Sequence, residues 1–240
     1  HHGKVSDLAY HNSLMVQTWS MLASGDVRLT ARAAGELGPV PTSTAWITYA
    51  RCHDDIGWAI DDQHAASEGL SGFFHRKFLS DSYSGRFGGS PARGLVFQEN
   101  PATHDRRISG TAASLTGIES AVASGNPRDL DHGIARLLLA HALAMGWGGI
   151  PVIWSGDELA MPNDPAWADE PGHESDNRWA HRPRLNWDTA GRRHDPGTVE
   201  ERVFTGLRHL GRVRSSLPHL HASVQAEVLP VEDPGVLPVV

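Results

Sequence analysis

The sequence predicts an α/β protein in which helices alternate with the strands of a parallel sheet. Three observations support this: apolar residues recur at helical spacing in three segments, two short β-branched or aromatic runs lie between them, and a long polar loop follows each run. Such alternation is typical of parallel βα units. We expect part of a (β/α)8 barrel, in which the loops after the strands carry function. A doubly wound sheet would give a similar pattern, but no strand is followed by a G-x-G-x-x-G motif.

The first half of the chain predicts one helix, one strand and one long loop. Apolar residues at helical spacing over Asn12–Gly25 predict the helix, with the glycine at its end. The run Trp46–Cys52, bounded by proline upstream and acidic residues downstream, predicts the strand. From Asp55 to about Thr116 the chain is polar and glycine-rich with little periodicity. Because loops of this length are uncommon and usually functional, this segment is expected to contribute to a site.

The second half repeats this order. Asn126 and Pro127 have the residue types of an N-cap and a first helical position, and the helical spacing that follows ends at Gly146. The compact apolar run Gly149–Trp154 predicts a second buried strand. A second polar loop then covers Gly156–His194. The tight connection before this strand and the long loop after it match the asymmetry of a barrel.

The C-terminal part predicts a last helix and then β structure. Thr198 and Glu201 form a capping-box pattern at the start of the helix, and the chain from His221 onward is predicted to be β. The chain begins at His1 with no initiator Met and no signal-peptide pattern, and it ends on the apolar run Val236–Val240. We interpret both ends as cuts and expect a fragment of a longer protein.

Composition excludes several functional classes. The chain has 240 residues, 40% of them hydrophobic, which suits a folded core and argues against disorder or a coiled coil. A net charge of −7 gives no electrostatic attraction to nucleic acid or anionic lipid. No run approaches the roughly 18 apolar residues of a membrane span. Cys52 is the single cysteine, which excludes a disulfide within the chain and mildly favours a cytoplasmic location.

The strongest candidate site is His53-Asp54-Asp55, directly after the first predicted strand. A neutral histidine can donate to a hydroxyl, and a fixed carboxylate can accept two hydroxyl bonds, which suits a sugar. The same carboxylate can stabilise positive charge in a transition state. Two alternatives stay open: a simple strand cap or turn, and a His-Asp metal pair of the phosphohydrolase kind, which would need further His and Asp residues on helices.

A family resemblance adds to these observations. The stretch Thr44–Asp62, TAWITYARCHDDIGWAIDD, resembles the fourth conserved region of glycoside hydrolase family 13, the α-amylase superfamily, and more narrowly its amylosucrase branch. Further similar segments follow in the same order over roughly residues 7–215: Phe97–Pro101, Arg107–Ala113, Gly149–Glu158 and Asp176–Pro183.

The resemblance implies a domain organisation. Residues 1–220 would form the C-terminal part of the catalytic barrel, about strands six to eight, with an inserted loop subdomain at about residues 55–117. Residues 221–240 would begin a C-terminal β-sandwich. The family's nucleophile and acid/base, two carboxylates about 5 Å apart, come from strands four and five and would precede this chain. We therefore expect the isolated chain to be neither stably folded nor active.

The resemblance also implies roles for the remaining catalytic groups. Asp54 would bind the hydroxyls of the glucosyl ring and stabilise the transition state, and His53 would hydrogen-bond the same ring. The implied reaction transfers glucose from sucrose to an α-glucan, an oligosaccharide acceptor or water. The sequence itself contains no signature of a nucleotide, flavin or metal site, so no cofactor and no metal are expected. The alternatives are a sucrose hydrolase or α-glucosidase-type enzyme, and a non-catalytic carbohydrate-binding module.

Four residues are implied to bind substrate. Asp55 and Arg107 would contact the fructosyl or acceptor side, with Gln98 nearby. Arg178 would close the pocket floor through a salt bridge whose carboxylate partner lies upstream of this chain. Two simpler interpretations compete with these: Arg107 as an ordinary surface arginine, and Arg178 paired with Asp176 on a solvated loop.

Overall fold

The computed structural model describes residues 6–38, 40–41, 43–224 and 226–240. In this part of the chain the strands are β1 (Leu8–Tyr10), β2 (Ala45–Tyr49), β3 (Leu95–Glu99), β4 (Arg106–Ser109) and β5 (Ile150–Val152). The α-helices are α1 (Asn12–Ser24), α2 (Arg28–Gly35), α3 (Asp62–Ser67), α4 (Gly72–Tyr83), α5 (Ala112–Thr116), α6 (Ile118–Ser124), α7 (Pro127–Gly146), α8 (Trp187–Gly191) and α9 (Val199–Ser216).

A three-stranded parallel sheet with the order β1-β2-β5 forms the centre of the fold. Ile47 of β2 pairs with Tyr10 on one side and with Ile150 on the other, so β2 is the central strand. This confirms the predicted mixed α/β class and the parallel arrangement. Both predicted strands are shorter than their sequence runs, because ladder pairing extends only to Tyr49 and Val152.

Helices α1 and α7 attach to this sheet through buried side chains. The indole Nε1 of Trp19 in α1 donates to the carbonyl of Ala50, just past β2, at 2.8 Å. The hydroxyl of Thr48 in β2 donates to the carbonyl of Ala144 in α7 at 2.7 Å. Burial of Trp19 and of Leu137 in α7 removes large apolar surfaces from water and holds the helices against the strands. The packing of these two helices on the parallel sheet fixes the direction of the chain where it leaves β2.

The helix ends follow the sequence signals. Gly25 ends α1 in a left-handed conformation. The side-chain oxygen of Asn126 accepts from the backbone N–H groups of Arg128 and Asp129, so it caps α7 as predicted. Thr198 accepts from the N–H of Glu201 at the start of α9. These caps satisfy donors that the first turn of a helix leaves without partners.

The segment of about residues 55–117 differs from the predicted long loop. It contains α3, α4 and the antiparallel β3–β4 hairpin, and Ile56 pairs with Ile108 of β4 through two backbone hydrogen bonds. Helix α3 is short and polar, whereas α4 has 12 residues and buries Leu79 and Tyr83, four residues apart, on one face. The side chains of Asp61 and Ser71 cap the N-termini of the two helices. Tertiary contacts with the sheet region supply the remaining order.

The C-terminal tail makes few β contacts. Val228 pairs with Val239 in an isolated bridge, and the carbonyl of Pro234 accepts from the N–H of Val27 next to α2. The start of a β-sandwich, and the division of the chain at residues 220 and 221, stay predictions. No helix in the described ranges is long and apolar enough to cross a membrane.

Two glycines with similar backbone angles provide a matched stability test. Gly149 and Gly125 have φ values of 65° and 68°, but a Cβ on Gly149 would lie 2.5 Å from the carbonyl oxygen of Trp46, whereas one on Gly125 would meet nothing within 4 Å. We expect Gly125→Ala to lower the free energy of unfolding by about 1 kcal/mol, from the left-handed conformation alone. Gly149→Ala should cost about 2 kcal/mol more, because β2 and β5 must move apart. Urea denaturation of the complete enzyme carrying each substitution measures both values, and equal losses would contradict the close approach.

Candidate functional site

His53, Asp54 and Asp55 lie directly beyond the carboxyl end of β2, as the sequence predicted. The side chains of His53 and Asp54 are each 49% exposed, and His53 Nε2 lies 3.5 Å from Asp54 Oδ2. The ring of His53 lies beside that of Trp154, which follows β5, with centroids 5.7 Å apart. The ends of two neighbouring parallel strands therefore meet at this position, where α/β proteins place binding groups.

Arg178 joins Asp54 to the second polar loop. Its Nε and Nη2 donate to the two oxygens of Asp176 at 2.8 and 2.7 Å, and its Nη1 donates to Asp54 Oδ1 at 3.2 Å. The structure shows the alternative pairing of Arg178 with Asp176, together with a bond to Asp54; a carboxylate partner upstream of this chain stays a prediction. The hydrogen bonds to Asp176, and then the charge of that carboxylate, raise the pKa of Arg178 above its usual value.

Arg107 on β4 pairs with Asp55. The Nε–Oδ2 distance is 2.5 Å, and the Asp55 side chain is only 1% exposed. Burial raises the pKa of Asp55, and the nearby charge of Arg107 opposes this effect. The two oxygens of Asp55 accept no well-aligned hydrogen bond from any described group, so the contact with Arg107 is an ion pair.

Gln98 lies next to this pair at a break in the β3–β4 hairpin. Its Oε1 is 3.5 Å from Nη1 of Arg107, a long contact. The residue has φ of 56° at the bulge between Phe97 and Glu99, a conformation that side chains seldom adopt. The structure therefore brings Gln98 to Arg107, and Arg107 to Asp55, as one chain of contacts.

A buried ion pair that sequence reasoning missed lies beneath these groups. Arg51 Nε donates to Asp157 Oδ1 at 2.8 Å, and the side chains are 2% and 1% exposed. Arg51 Nη1 also donates to the carbonyl of His181 at 3.2 Å. This ion pair gives Asp157 a structural role, because it connects the end of β2 to the turn after β5.

His181 is a second missed residue, and its hydrogen bonds define its tautomer. Its Nδ1 accepts from the N–H of Gly110 at 3.0 Å, so Nε2 carries the hydrogen and donates to the carbonyl of His53 at 3.1 Å. Burial, together with the charge of Arg51, lowers the pKa of His181 to about 4. Arg182 donates to the same carbonyl from Nε and Nη2. The carbonyl of His53 therefore accepts three hydrogen bonds from two side chains, which fixes the main chain at this position.

No sequence pattern identifies these partners. Arg51 is 106 residues from Asp157 and 130 residues from His181. Both Arg51 and His181 lie inside segments that the family resemblance matched, which is the signal that would have drawn attention to them.

The only cluster in the described residues that could offer three ligands to a metal is Cys52, His53 and Asp54, whose ligand atoms lie within 4.8 Å of one another. Burial raises the pKa of Cys52, which favours the thiol over the metal-binding thiolate. Arg178 already holds Asp54, and its positive charge would oppose a cation. The donor set therefore fits a metal ion poorly.

Comparison with known proteins supports the fold. No protein-family model matches the chain. Among solved structures, the chain is similar to sucrose 6F-phosphate phosphorylase from Thermoanaerobacter thermosaccharolyticum, with a TM-score of 0.60 and 16% sequence identity. The match covers 95% of this chain and 39% of that enzyme. The chain therefore shares the fold of the matched part of that enzyme. At this identity the likeness concerns the fold alone, and the small parallel sheet with its helices is consistent with part of an α/β barrel.

Removing the charge of Arg107 should raise the pKa of Asp55 further. Arg107→Met keeps an apolar side chain of similar reach but deletes the largest contribution that opposes the effect of burial. Carboxyl-carbon NMR titration measures the pKa directly. Arg86→Met, at an exposed position, is the matched control and should leave Asp55 unchanged. An unaltered pKa of Asp55 in Arg107→Met would show that the two groups do not interact.

Buried His181 should make the protein less stable in acid. The unfolded chain binds a proton at this residue near pH 6.5, but the folded protein does so only near pH 4, so stability falls as the pH decreases through this range. The loss from His181 has an upper limit of about 3 kcal/mol. Burial also lowers the pKa of His11 to about 4, so this residue adds a similar loss of stability in acid.

His181→Gln should therefore remove about half of the combined acid-induced loss. Urea denaturation of the two proteins over this pH range measures the slopes. Parallel pH profiles for the variant and the unmodified protein would contradict the assignment.

Proposed function

We propose that the chain is the C-terminal part of the catalytic barrel of a carbohydrate-active enzyme of the α-amylase superfamily, with amylosucrase-like glucosyl transfer from sucrose. The observation that carries this proposal is the convergence of His53-Asp54-Asp55 with Arg178 and Arg107 at the end of the central strand. The fold shared with a sucrose-derivative phosphorylase supports a sucrose-type substrate.

Asp54 is the central substrate-binding and transition-state group in this proposal. Its carboxylate is half exposed and has one oxygen on Arg178, which leaves acceptor capacity for two glucosyl hydroxyls. As the bond between the glucosyl anomeric carbon and the fructosyl oxygen breaks, positive charge develops on the ring, and a fixed carboxylate stabilises that charge. His53 donates to the same ring, and the hydrogen bonds that its main-chain carbonyl accepts from His181 and Arg182 fix its position.

Arg107 contacts the fructosyl or acceptor side, and Asp55, whose side chain is almost fully buried, acts on that side through Arg107. The exposed part of the Arg107 guanidinium offers donors to hydroxyl groups, and the buried carboxylate of Asp55 fixes its orientation. Gln98 reaches the same guanidinium and adds an amide to this side. Arg178 is bound to Asp54, and its guanidinium carbon lies 5.0 Å from the centroid of the Phe97 ring. In this proposal it closes the floor of the pocket beneath the glucosyl group.

The covalent chemistry requires two carboxylates that this chain does not contribute in the proposed scheme. One attacks the anomeric carbon, and the other protonates the departing fructosyl oxygen. Both belong to the part of the barrel that precedes this chain, so the chain by itself is expected to be inactive.

Incubating the complete enzyme with sucrose, and then with added inorganic phosphate, distinguishes the candidate reactions. Insoluble glucan with released fructose indicates transfer to an α-glucan, whereas equal amounts of glucose and fructose indicate a hydrolase. Glucose 1-phosphate indicates phosphorolysis, the activity named for the similar structure. Sugar binding without any product would favour a non-catalytic carbohydrate-binding module.

Asp54→Asn tests the central residue. We expect a loss of about 100-fold or more in kcat with sucrose, because the amide lacks the charge that stabilises the transition state. The matched control is Asp188→Asn, an exposed carboxylate in the first turn of α8, which should keep full activity. Thermal denaturation checks that both variants fold. Turnover by Asp54→Asn close to that of the control would eliminate the role assigned to Asp54.

A further inference from the structure

A cavity of about 230 Å³ lies apart from the candidate site, between α1, α4 and the turn that precedes β3. Its lining shares no residue with the groups around Asp54, Asp55, Arg107 and Arg178. Drug-sized ligands occupy pockets of about 300–1,000 Å³, so this volume suits a smaller molecule. The cavity therefore represents a separate candidate binding site.

Aromatic rings form much of the wall. Trp19 and Tyr83 meet edge to face with centroids 5.3 Å apart, and Phe78 and Phe87 do the same at 5.1 Å. Trp19 and Tyr83 are buried, while Phe87 is partly exposed near the two glycines at positions 88 and 89. Such a wall favours a flat or apolar body, through apolar burial and ring contacts.

Three of the four hydroxyl groups in the lining, those of Tyr83, Ser90 and Thr116, already donate to carbonyl groups within the protein, which leaves only the hydroxyl of Ser82. The Tyr83 hydroxyl donates to the carbonyl of Trp19, and the Ser90 hydroxyl donates to the carbonyl of Ser82. The Thr116 hydroxyl donates to the carbonyl of Ala112. A sugar, which needs many donors and acceptors, finds few free partners here.

Arg136 of α7 is the charged group in this lining. Its Nε donates to the carbonyl of Thr116 at 2.9 Å. No carboxylate in the described part of the chain lies within ion-pair distance of its guanidinium, and Asp129 affects it only from further away. Burial lowers the pKa of Arg136, which indicates a poorly hydrated cation. A guanidinium binds carboxylates through paired N–H donors, so a carboxylate would compensate this charge.

We propose that this cavity binds a small organic carboxylate with a flat apolar body. The carboxylate pairs with the Nη groups of Arg136, and the apolar body lies against Trp19, Phe78 and Phe87. The proposal does not depend on the glucosyl-transfer function, since the two sets of residues are separate.

Benzoate and its neutral isostere benzamide are the probes. We expect benzoate to bind in ligand-observed NMR titrations of the complete enzyme, and benzamide to bind at least about tenfold more weakly because it lacks the charge. Arg136→Gln should weaken benzoate binding by about tenfold and abolish the preference over benzamide. Arg128→Gln, an exposed arginine on the same helix, is the matched control and should bind as the unmodified protein does.

Phe87→Ala provides a second variant at a partly exposed position, where folding is less at risk. It should weaken benzoate and benzamide alike and keep the preference for the charged probe. The proposal is overturned if benzoate does not bind, if benzamide binds equally well, or if glucose binds this cavity in preference to benzoate. It is also overturned if Phe87→Ala leaves benzoate affinity unchanged, whether or not Arg136→Gln folds.

Discussion

The buried ion pair between Arg51 and Asp157 is the interaction on which the candidate site depends. Two charges removed from water are costly unless their geometry and additional hydrogen bonds compensate. Here the carbonyl of His181 accepts a further hydrogen bond from Arg51, and the N–H of Ala112 lies 3.5 Å from Asp157 Oδ1. Removing one partner of such a pair typically costs about 3–5 kcal/mol, because the other charge stays buried.

The position of this pair explains the geometry above it. Arg51 immediately precedes Cys52 and the three polar residues, Asp157 follows β5, and His181 belongs to the loop that carries Arg178. Three segments that are distant in sequence therefore meet at one buried charge. His181 then returns a hydrogen bond to the carbonyl of His53. Rigid backbone at this point allows exposed side chains such as Asp54 to keep a defined direction.

The sequence predicted the elements whose signals are local. Helix α7, with its Asn126 cap and apolar spacing, needs no distant partner to be identified, and the run around Ile47 indicates a strand by composition. The placement of His53-Asp54-Asp55 after that strand followed directly. The helices and hairpin between residues 55 and 117 were not predicted, although the caps Asp61 and Ser71 and the apolar residues of α4 are local signals, because the glycine-rich and polar composition of the whole segment favoured a loop.

The interactions at the site that the sequence did not predict join residues far apart in the chain. Asp176, two residues from Arg178, was among the partners considered from the sequence, whereas Asp54, 124 residues away, was not. Inside a predicted apolar strand, Arg51 gives no signal of its role, since only folding brings Asp157 to it. The family resemblance identified the segments that contain these residues, but it did not predict which residues form ion pairs with one another.

Charge compensation distinguishes the two proposed binding regions of the molecule. At the strand end four carboxylates accompany four arginines: Asp54, Asp55, Asp157 and Asp176 with Arg51, Arg107, Arg178 and Arg182. Such a balanced cluster presents fixed dipoles and hydrogen-bonding groups with little net charge, which favours a neutral polyhydroxyl ligand. Arg136 lacks such compensation within the described residues, and its surroundings are aromatic. Desolvation strengthens its attraction for an opposite charge, so the two regions favour chemically different ligands.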